Sequence, residues 1–572
     1  MNNKIGFSNF RKFADFPEID LGDVTILVGG NNSGKSTLVK AFLLCVDNLR
    51  MMRMSDRRRK DRNNIFGFNK PMFRFDANVY HDVKVKTFTR AIHNKPVADC
   101  DGSYASLPST ITFNFAVGKF EFKFVVAGNR DEELTYGDVQ SISIVDREHG
   151  IRFCNDYEHD TMSYAILASS KNGGSKKDVM DISKKEEMKK EYLEIDESLE
   201  NATNEGDLER IASLAEEKEK IAAAYKEQYG IDVIVGDQEE VDLFDDEITE
   251  PYIKGDDVCY DNLPLGFDLN EANEPVVKNV ISNIINFASQ TQDKEPEPKE
   301  GEDSYDEKMK EYEAKEDARK GMYLDISKMK KSRDDLAYML DTINVQYIPA
   351  HAVNQDAYYK IGGDDFMAKV VYDFYLEKIT RGDAEYTFVT NWMKTFGIGY
   401  DFCIKPLMAG DIYKLTIEDG DGTKLPLADK GMGAIQMMIL LLRLATIIHV
   451  AKSNKKAVTT VVIEEPEQNL HPKMQSLLAD LFQSIATSNE YKINLIIETH
   501  SECLIRKTQV IVALNKYADQ KDLIANNPFK VYYLPCDGTD RYEMEYRTDG
   551  CFVNDFGEGF FDEAENLAFQ VL

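Results

Sequence analysis

The chain has 572 residues, 43% apolar and 10% aromatic, which exceeds the usual capacity of one hydrophobic core and predicts two or three structural units. Lys and Arg total 69 against 100 Asp and Glu, a net charge of −31, so the surface as a whole repels phosphodiester backbones and any nucleic-acid contact needs a local basic patch or a partner. Eight cysteines without a C-x-x-C pair argue against a zinc module and a disulfide framework, and the missing signal core and short, interrupted apolar runs predict a cytoplasmic protein without a membrane span.

Residues 4–10 read as a strand and 23–28 (DVTILV) as a second, buried one; a helix is expected over 38–44. Between them, Gly29-Gly30-Asn31-Asn32-Ser33-Gly34-Lys35-Ser36-Thr37 fits G-x-x-x-x-G-K-[ST] in the strand–turn–helix context that the pattern requires. Glycines at 29, 30 and 34 let successive N–H groups turn inward onto phosphate oxygens, and the helix start adds partial positive charge. Lys35 is then placed to bridge β- and γ-phosphates and the Ser36 hydroxyl to ligate Mg²⁺. The helix runs into Arg50, Arg53, Arg57, Arg58, Arg59, Lys60 and Arg62. This segment is either a solvated helix end or the one local patch fit for nucleic acid or an acidic partner.

From about 70 to 170 the pattern turns to short alternating runs (111–117, 119–126, 142–145), which predict an antiparallel β lobe. Residues 181–229 are Lys/Glu-rich with apolar spacing that suits a helical hairpin. An acidic stretch, a helix at 274–289, the charged linker 293–303 and a helix at 305–342 follow, then a strand at 344–348. Helices are expected near 364–380 and 384–396, paired strands at 401–407 and 411–418, and an apolar helix at 437–451. Two strands with little polar alternation, 459–463 and 493–497, indicate a parallel sheet covered on both faces.

The turn after the first of these strands carries the second half of the site. The strand at 459–463 runs into Glu464-Glu465-Pro466, which offers one carboxylate for Mg²⁺ and one to orient and polarise a water. Carboxylates at a strand's exit turn lie where open α/β sheets bind ligands. His500, at the end of the strand at 493–497, is placed to contact the γ-phosphate or the attacking water.

With these elements in order, the chain resembles ABC-type ATPases of the SMC and RecF group. It is more closely similar to the OLD-like ATPases of bacterial antiphage defence. GGNNSGKST (29–37) looks like their Walker A loop, VVIEEPEQNLHP (461–472) their Walker B strand and D-loop, DKGMGAIQ (429–436) their signature motif, and ETHS (498–501) their switch histidine. The resemblance implies an α/β, ABC-type P-loop head formed by 1–45 and 340–572. A basic segment and β-rich lobe at 46–175 and a helical insertion at 176–339 would complete the chain. It implies ATP and Mg²⁺ as cofactors, Glu464 as the Mg²⁺-side carboxylate and Glu465 as catalytic base. Gly431 and Gly433 would cap the γ-phosphate of a second copy, giving a homodimer or higher oligomer. A Q-loop glutamine is poorly marked; Gln346 and Gln355 are the candidates.

OLD nucleases carry a C-terminal Toprim domain, but only about seventy residues follow His500 and no D-x-D follows an upstream glutamate. Asp549-Gly550 and the tail from Asn554 to Glu563 look like the endings of stand-alone defence ATPases of the Septu type. The resemblance therefore implies an ATPase beside a separately encoded effector nuclease, HNH-like or Toprim-like. Two rivals stay open: a RecF-like repair ATPase clamping DNA itself, and a nuclease acting through the acidic tail.

Overall fold

The computed structural model describes residues 3–53, 71–76, 85–98, 105–159, 161–167, 252–254, 257–264, 281–282, 284–285, 326–350, 356–361, 365–454, 458–514, 527–535, 542–557, 561–562, 567 and 569–570. The expected hairpin at 181–229, the linker at 293–303, Gln355 and the basic residues Arg57 to Arg62 lie outside them. The chain divides into two units: Met1–Met162 with Pro264–Leu572, and Ser163–Leu263. Within the smaller, Tyr252, Ile253 and Lys254 pair antiparallel with Cys259, Val258 and Asp257.

The larger unit opens with an antiparallel hairpin, β1 (Asn3–Phe10) and β2 (Phe13–Leu21), then strand β3 (Val24–Gly29) and helix α1 (Lys35–Arg53). Four further antiparallel strands follow: β4 (Thr110–Val117), β5 (Phe120–Ala127), β6 (Tyr136–Asp146) and β7 (Ile151–Asp156). They pair in the order β2-β1-β4-β5-β6-β7, so the first strand of the chain belongs to the β lobe. Period-two alternation turns Phe113, Phe115, Phe120, Phe122 and Phe124 inward, where the rings of Phe115, Phe122 and Phe124 stack. Helix α1 touches both this sheet, through β1 and β4, and β3. That double contact is why Leu38, Phe42, Leu44, Val46 and Leu49 are buried on all its sides.

The parallel sheet uses β8 (Asn344–Ile348), which follows a helix at 326–342. Helices α2 (Phe366–Leu376) and α3 (Ala384–Thr395) and the hairpin β9 (Asp401–Leu407) and β10 (Ile412–Glu418) come next. The remaining elements are α4 (Met432–Ser453), β11 (Thr459–Glu464), α5 (Pro472–Ala486), β12 (Ile493–Glu498), α6 (Glu502–Leu514) and β13 (Phe529–Leu534). The strand order is β8-β11-β12-β3-β13, all parallel, with Tyr542–Glu543 antiparallel on the outer edge of β13. The fold class is α/β with a β-rich lobe, as expected; β2 and β13 are strands that the sequence pattern did not single out.

Helix α4 is apolar all round because it is the core helix, packed against α2 and α3, with Ile435, Met438, Leu441, Leu442 and Ala445 buried. Among the described residues it is the one helix long and apolar enough to cross a membrane, and 72% of that window is buried inside the protein. Leu441 is 0% exposed, so Leu441→Ala is expected to cost about 2–5 kcal/mol by lost transfer energy plus a residual cavity. Urea unfolding checks this; a loss below about 1 kcal/mol would remove Leu441 from the core.

Candidate active site

All five parallel strands end on the same side, and the expected site residues sit at those ends. Register fixes this: Glu498 lies beside Leu27 on one flank and Glu464 on the other, and Gly29 lies beside Leu534. One strand, β12, separates the phosphate-loop strand β3 from the carboxylate strand β11. At about 4.8 Å per strand this sets the loop and the carboxylates about 10 Å apart, room for a metal-bound phosphate and a water between them.

The loop's geometry demands its sequence. At Gly34, φ is +110° and an added Cβ would lie 2.4 Å from the Phe13 ring; at Gly29 one would lie 2.2 Å from the Leu534 carbonyl oxygen. Asn32 takes the left-handed conformation, φ 61°, which asparagine tolerates. The N–H groups of Thr37 and Leu38 return to the Gly34 carbonyl at 2.9 and 3.1 Å, and the Ser33 amide reaches Gly30 O at 3.3 Å. Asn31 is exposed at the rim, whereas Ser33 is 2% exposed with its Oγ unpartnered. Lys35, 3% exposed, donates from Nζ to the carbonyls of Gly29 (2.9 Å) and Gly30 (3.0 Å), so its ammonium is already folded over the loop. Ser36 Oγ donates to Glu498 Oε1 at 2.8 Å.

The turn after β11 is strained at one of the candidate residues. Glu465 has φ 43°, unusual for a non-glycine residue, and its N–H donates to Glu498 O at 2.8 Å. Its carboxylate accepts a hydrogen bond from Gln468 Nε2, and its carbonyl one from Gln436 Nε2 at 3.5 Å. Glu464 lines a small cleft with Ile348, Pro349, Gln436 and Pro466. Burial and the nearby Lys35 hold the His500 imidazole below its ordinary range, which favours the neutral ring at neutral pH.

Three residues of this network were not singled out by the sequence pattern. Glu467 is buried, accepts the His500 N–H at 2.6 Å, and has its carboxyl raised first by burial. Gln468 holds the Glu465 carboxylate. Glu498 is 4% exposed; burial and then the Glu464 and Glu465 charges push its carboxyl up to about 7, against the Ser36 hydrogen bond and Lys35. The signal for Glu498 was available: a single charge ending the apolar run INLII, in the same motif that supplied His500. On the other side of the loop, Lys12 at the β1–β2 turn donates to the carbonyls of Asn32 (2.7 Å) and Ser33 (2.8 Å).

Gly431 and Gly433 flank the start of α4 and differ in what they face. A Cβ at Gly433 would lie 2.5 Å from Asn469 O, so this turn packs against the turn after β11 of its own chain; Asn469 Nδ2 also donates to Gln436 Oε1 at 3.2 Å. Gly431 has ordinary angles, φ −64° and ψ 155°, and a Cβ there would meet nothing within 4 Å among the described residues. Gln346 is engaged by Arg443 (2.7 Å) and Asn344 (2.8 Å). One expectation needs correcting: Arg50 is 8% exposed and donates to Ile343 O at 2.6 Å, so it ties α1 to the turn before β8 and does not belong to a nucleic-acid patch. In the tail, Asp549 accepts from Arg547 and from the Cys551 N–H, while Phe552, Phe556 and Phe561 pack in a row against Tyr533 and Tyr546.

The donor set fits Mg²⁺. The Ser36 hydroxyl and the Glu464 and Glu498 carboxylates are hard oxygens, and Glu498 Oε2 is buried without a partner. Among the described residues no group of three or more His, Cys, Asp or Glu side chains forms a metal site by itself.

The family model of the AAA ATPase domain matches residues 1–505. Among solved structures, the chain is similar to the Smc head domain with a coiled coil and joint from Pyrococcus yayanosii (10% identity, 96% of this chain, 97% of that one, TM-score 0.30). It is also similar to the Smc head domain with an extended coiled coil bound to the C-terminal domain of ScpA from Pyrococcus furiosus (9% identity, 99% and 98%, TM-score 0.27). A third is the SMC head domain from Thermotoga maritima (9% identity, 93% and 95%, TM-score 0.27). No curated protein matches the chain.

Proposed function

Because the chain belongs to the AAA ATPase domain family, we propose that this ATPase works at the sheet-end site with Mg²⁺, and that two copies close over the bound nucleotide. In this reading the N–H groups of Gly29 to Thr37 and the Lys35 ammonium hold the phosphates. Ser36 and Glu464 would hold the metal, which when bound would supply positive charge against that developing on the transferred phosphoryl group. Glu465 orients the attacking water and accepts its proton, with neutral His500 beside the γ-phosphate.

The observation that carries the closing of two copies is Gly431. Its backbone angles suit any residue and its surroundings leave space for a side chain, so nothing within the described chain requires glycine there. An outside surface that approaches the start of a long helix closely would require it, and the helix end favours an anion. Gly431→Glu is therefore expected to leave the melting temperature unchanged and to abolish ATP-dependent dimerisation in sedimentation velocity, measured in a Glu465→Gln background that retains ATP. Dimerisation unchanged by Gly431→Glu would sink the composite site.

The biological setting rests on the OLD-like and Septu-like resemblance of the four motifs: the dimer would scaffold or regulate a separately encoded nuclease in antiphage defence. Co-purification of this chain with such a nuclease, released by ATP-site variants, is the test. DNA binding by the chain alone would instead favour a repair clamp.

A further inference from the structure

We propose that Glu498 is a third acidic arm of the nucleotide site, one that holds the Ser36 hydroxyl in its metal-binding orientation with Oε1 and receives a metal-bound water with Oε2. This rests on the nucleotide-site reading above and adds a residue to it.

The placement comes first. Glu498 ends β12, the strand lying between the phosphate loop's strand and that of Glu464, and its Cα is in register with Leu27 and with Glu464. Side chains in register on neighbouring parallel strands face the same way, so Glu498 and Glu464 project side by side beyond the sheet. The groups that would hold a metal, the Ser36 hydroxyl after β3 and the Glu464 carboxylate at the end of β11, flank the end of β12.

The hydrogen bonding comes second. A hydroxyl has one proton and two lone pairs. With its proton committed to Glu498 Oε1 at 2.8 Å, Ser36 Oγ has only lone pairs left to offer, which is what a cation needs.

Burial comes third. A carboxylate 4% exposed is costly unless its oxygens are used, and Oε2 is buried with no hydrogen-bond partner. Magnesium keeps several waters in its octahedral shell, and such a water donating to Oε2 supplies the missing partner. The charge balance agrees. Glu464, Glu465 and Glu498 face a triphosphate with Lys35 as their nearby cation, so binding without metal is opposed and binding with metal is favoured.

The test compares wild type with Glu498→Gln, which keeps the shape and an acceptor for Ser36 but removes the charge. Mn²⁺ is titrated by electron paramagnetic resonance in the presence of a non-hydrolysable ATP analogue, and a fluorescent ATP is titrated in EDTA. The expected result is Mn²⁺ affinity weakened about tenfold or more, with metal-free nucleotide affinity unchanged or tighter. Glu498→Asp, which keeps the charge with a shorter reach, is expected to recover part of the loss. Equal Mn²⁺ affinity in wild type and Glu498→Gln overturns the proposal while leaving the nucleotide site intact. Failure of the wild type itself to bind Mn²⁺ with the analogue overturns both. If Glu498→Gln does not fold, Glu498→Asp decides: a melting temperature near wild type with Mn²⁺ affinity unchanged also overturns the proposal.

Discussion

Glu465→Gln is expected to lower ATP turnover about 10²–10⁴-fold while ATP affinity stays within about threefold of wild type. The substitution is close to isosteric. A glutamine side chain still offers an oxygen to Gln468 Nε2, and the backbone bond from residue 465 to Glu498 O at 2.8 Å does not involve the side chain. The left-handed backbone at φ 43° is equally costly for either residue, so the strained turn gains no reason to move. In the proposed mechanism, what is lost is the negative charge that would polarise the water and take up its proton, an interaction used only as the γ-phosphate is transferred. Losses of that kind fall on kcat and spare binding. Phosphate release under single-turnover conditions, beside equilibrium binding of ATP, separates the two. Turnover within a factor of two of wild type would take Glu465 out of the chemistry.

The complementary variant fails at the other step. Lys35→Ala is expected to weaken ATP binding at least about a hundredfold, with turnover falling below detection. Each charge-assisted hydrogen bond from a buried ammonium to phosphate contributes about 1.5–3 kcal/mol, and at about 1.4 kcal/mol per factor of ten two such bonds reach that figure. The ammonium is 3% exposed and already rests on the Gly29 and Gly30 carbonyls, 2.9 and 3.0 Å away. It has only to shift from loop oxygens to phosphate oxygens, so little ordering entropy opposes the exchange. Lys35→Met, which keeps the stem inside the protein, controls for simple loss of packing and is expected to show the same binding defect with a melting temperature near wild type. Wild-type affinity in equilibrium dialysis of either variant would mean that the phosphates lie elsewhere.

These two outcomes, set against Gly431→Glu, separate three events. One variant prevents binding, one binds without hydrolysis, and one leaves the chain's own phosphate loop intact while blocking the approach of a second copy. Gly433 cannot serve for that purpose, since a side chain there strikes Asn469 O at 2.5 Å and disturbs the chain's own site before any second copy arrives.

Local sequence determined a good deal. Apolar runs over 24–28, 459–463 and 493–497 became the central strands because each is buried on both faces of a parallel sheet and so carries almost no polar alternation. The phosphate loop was legible because its constraints are local: left-handed glycine, a short turn and a helix start all lie within nine residues. Glu464, Glu465 and His500 were singled out as candidates by the same logic of polar residues where apolar strands stop. Tertiary structure decided what no neighbour in the sequence specifies. It placed β1 and β2 in the lobe with β4, it added β13 beside β3, and it buried Arg50 under a carbonyl almost three hundred residues away. It also brought Glu498 to Ser36 across 462 residues. A hydrogen bond over that separation leaves no periodicity to read; it exists because parallel strands stack their ends at one edge, where a buried carboxylate must find a partner from whatever part of the chain the sheet order puts beside it.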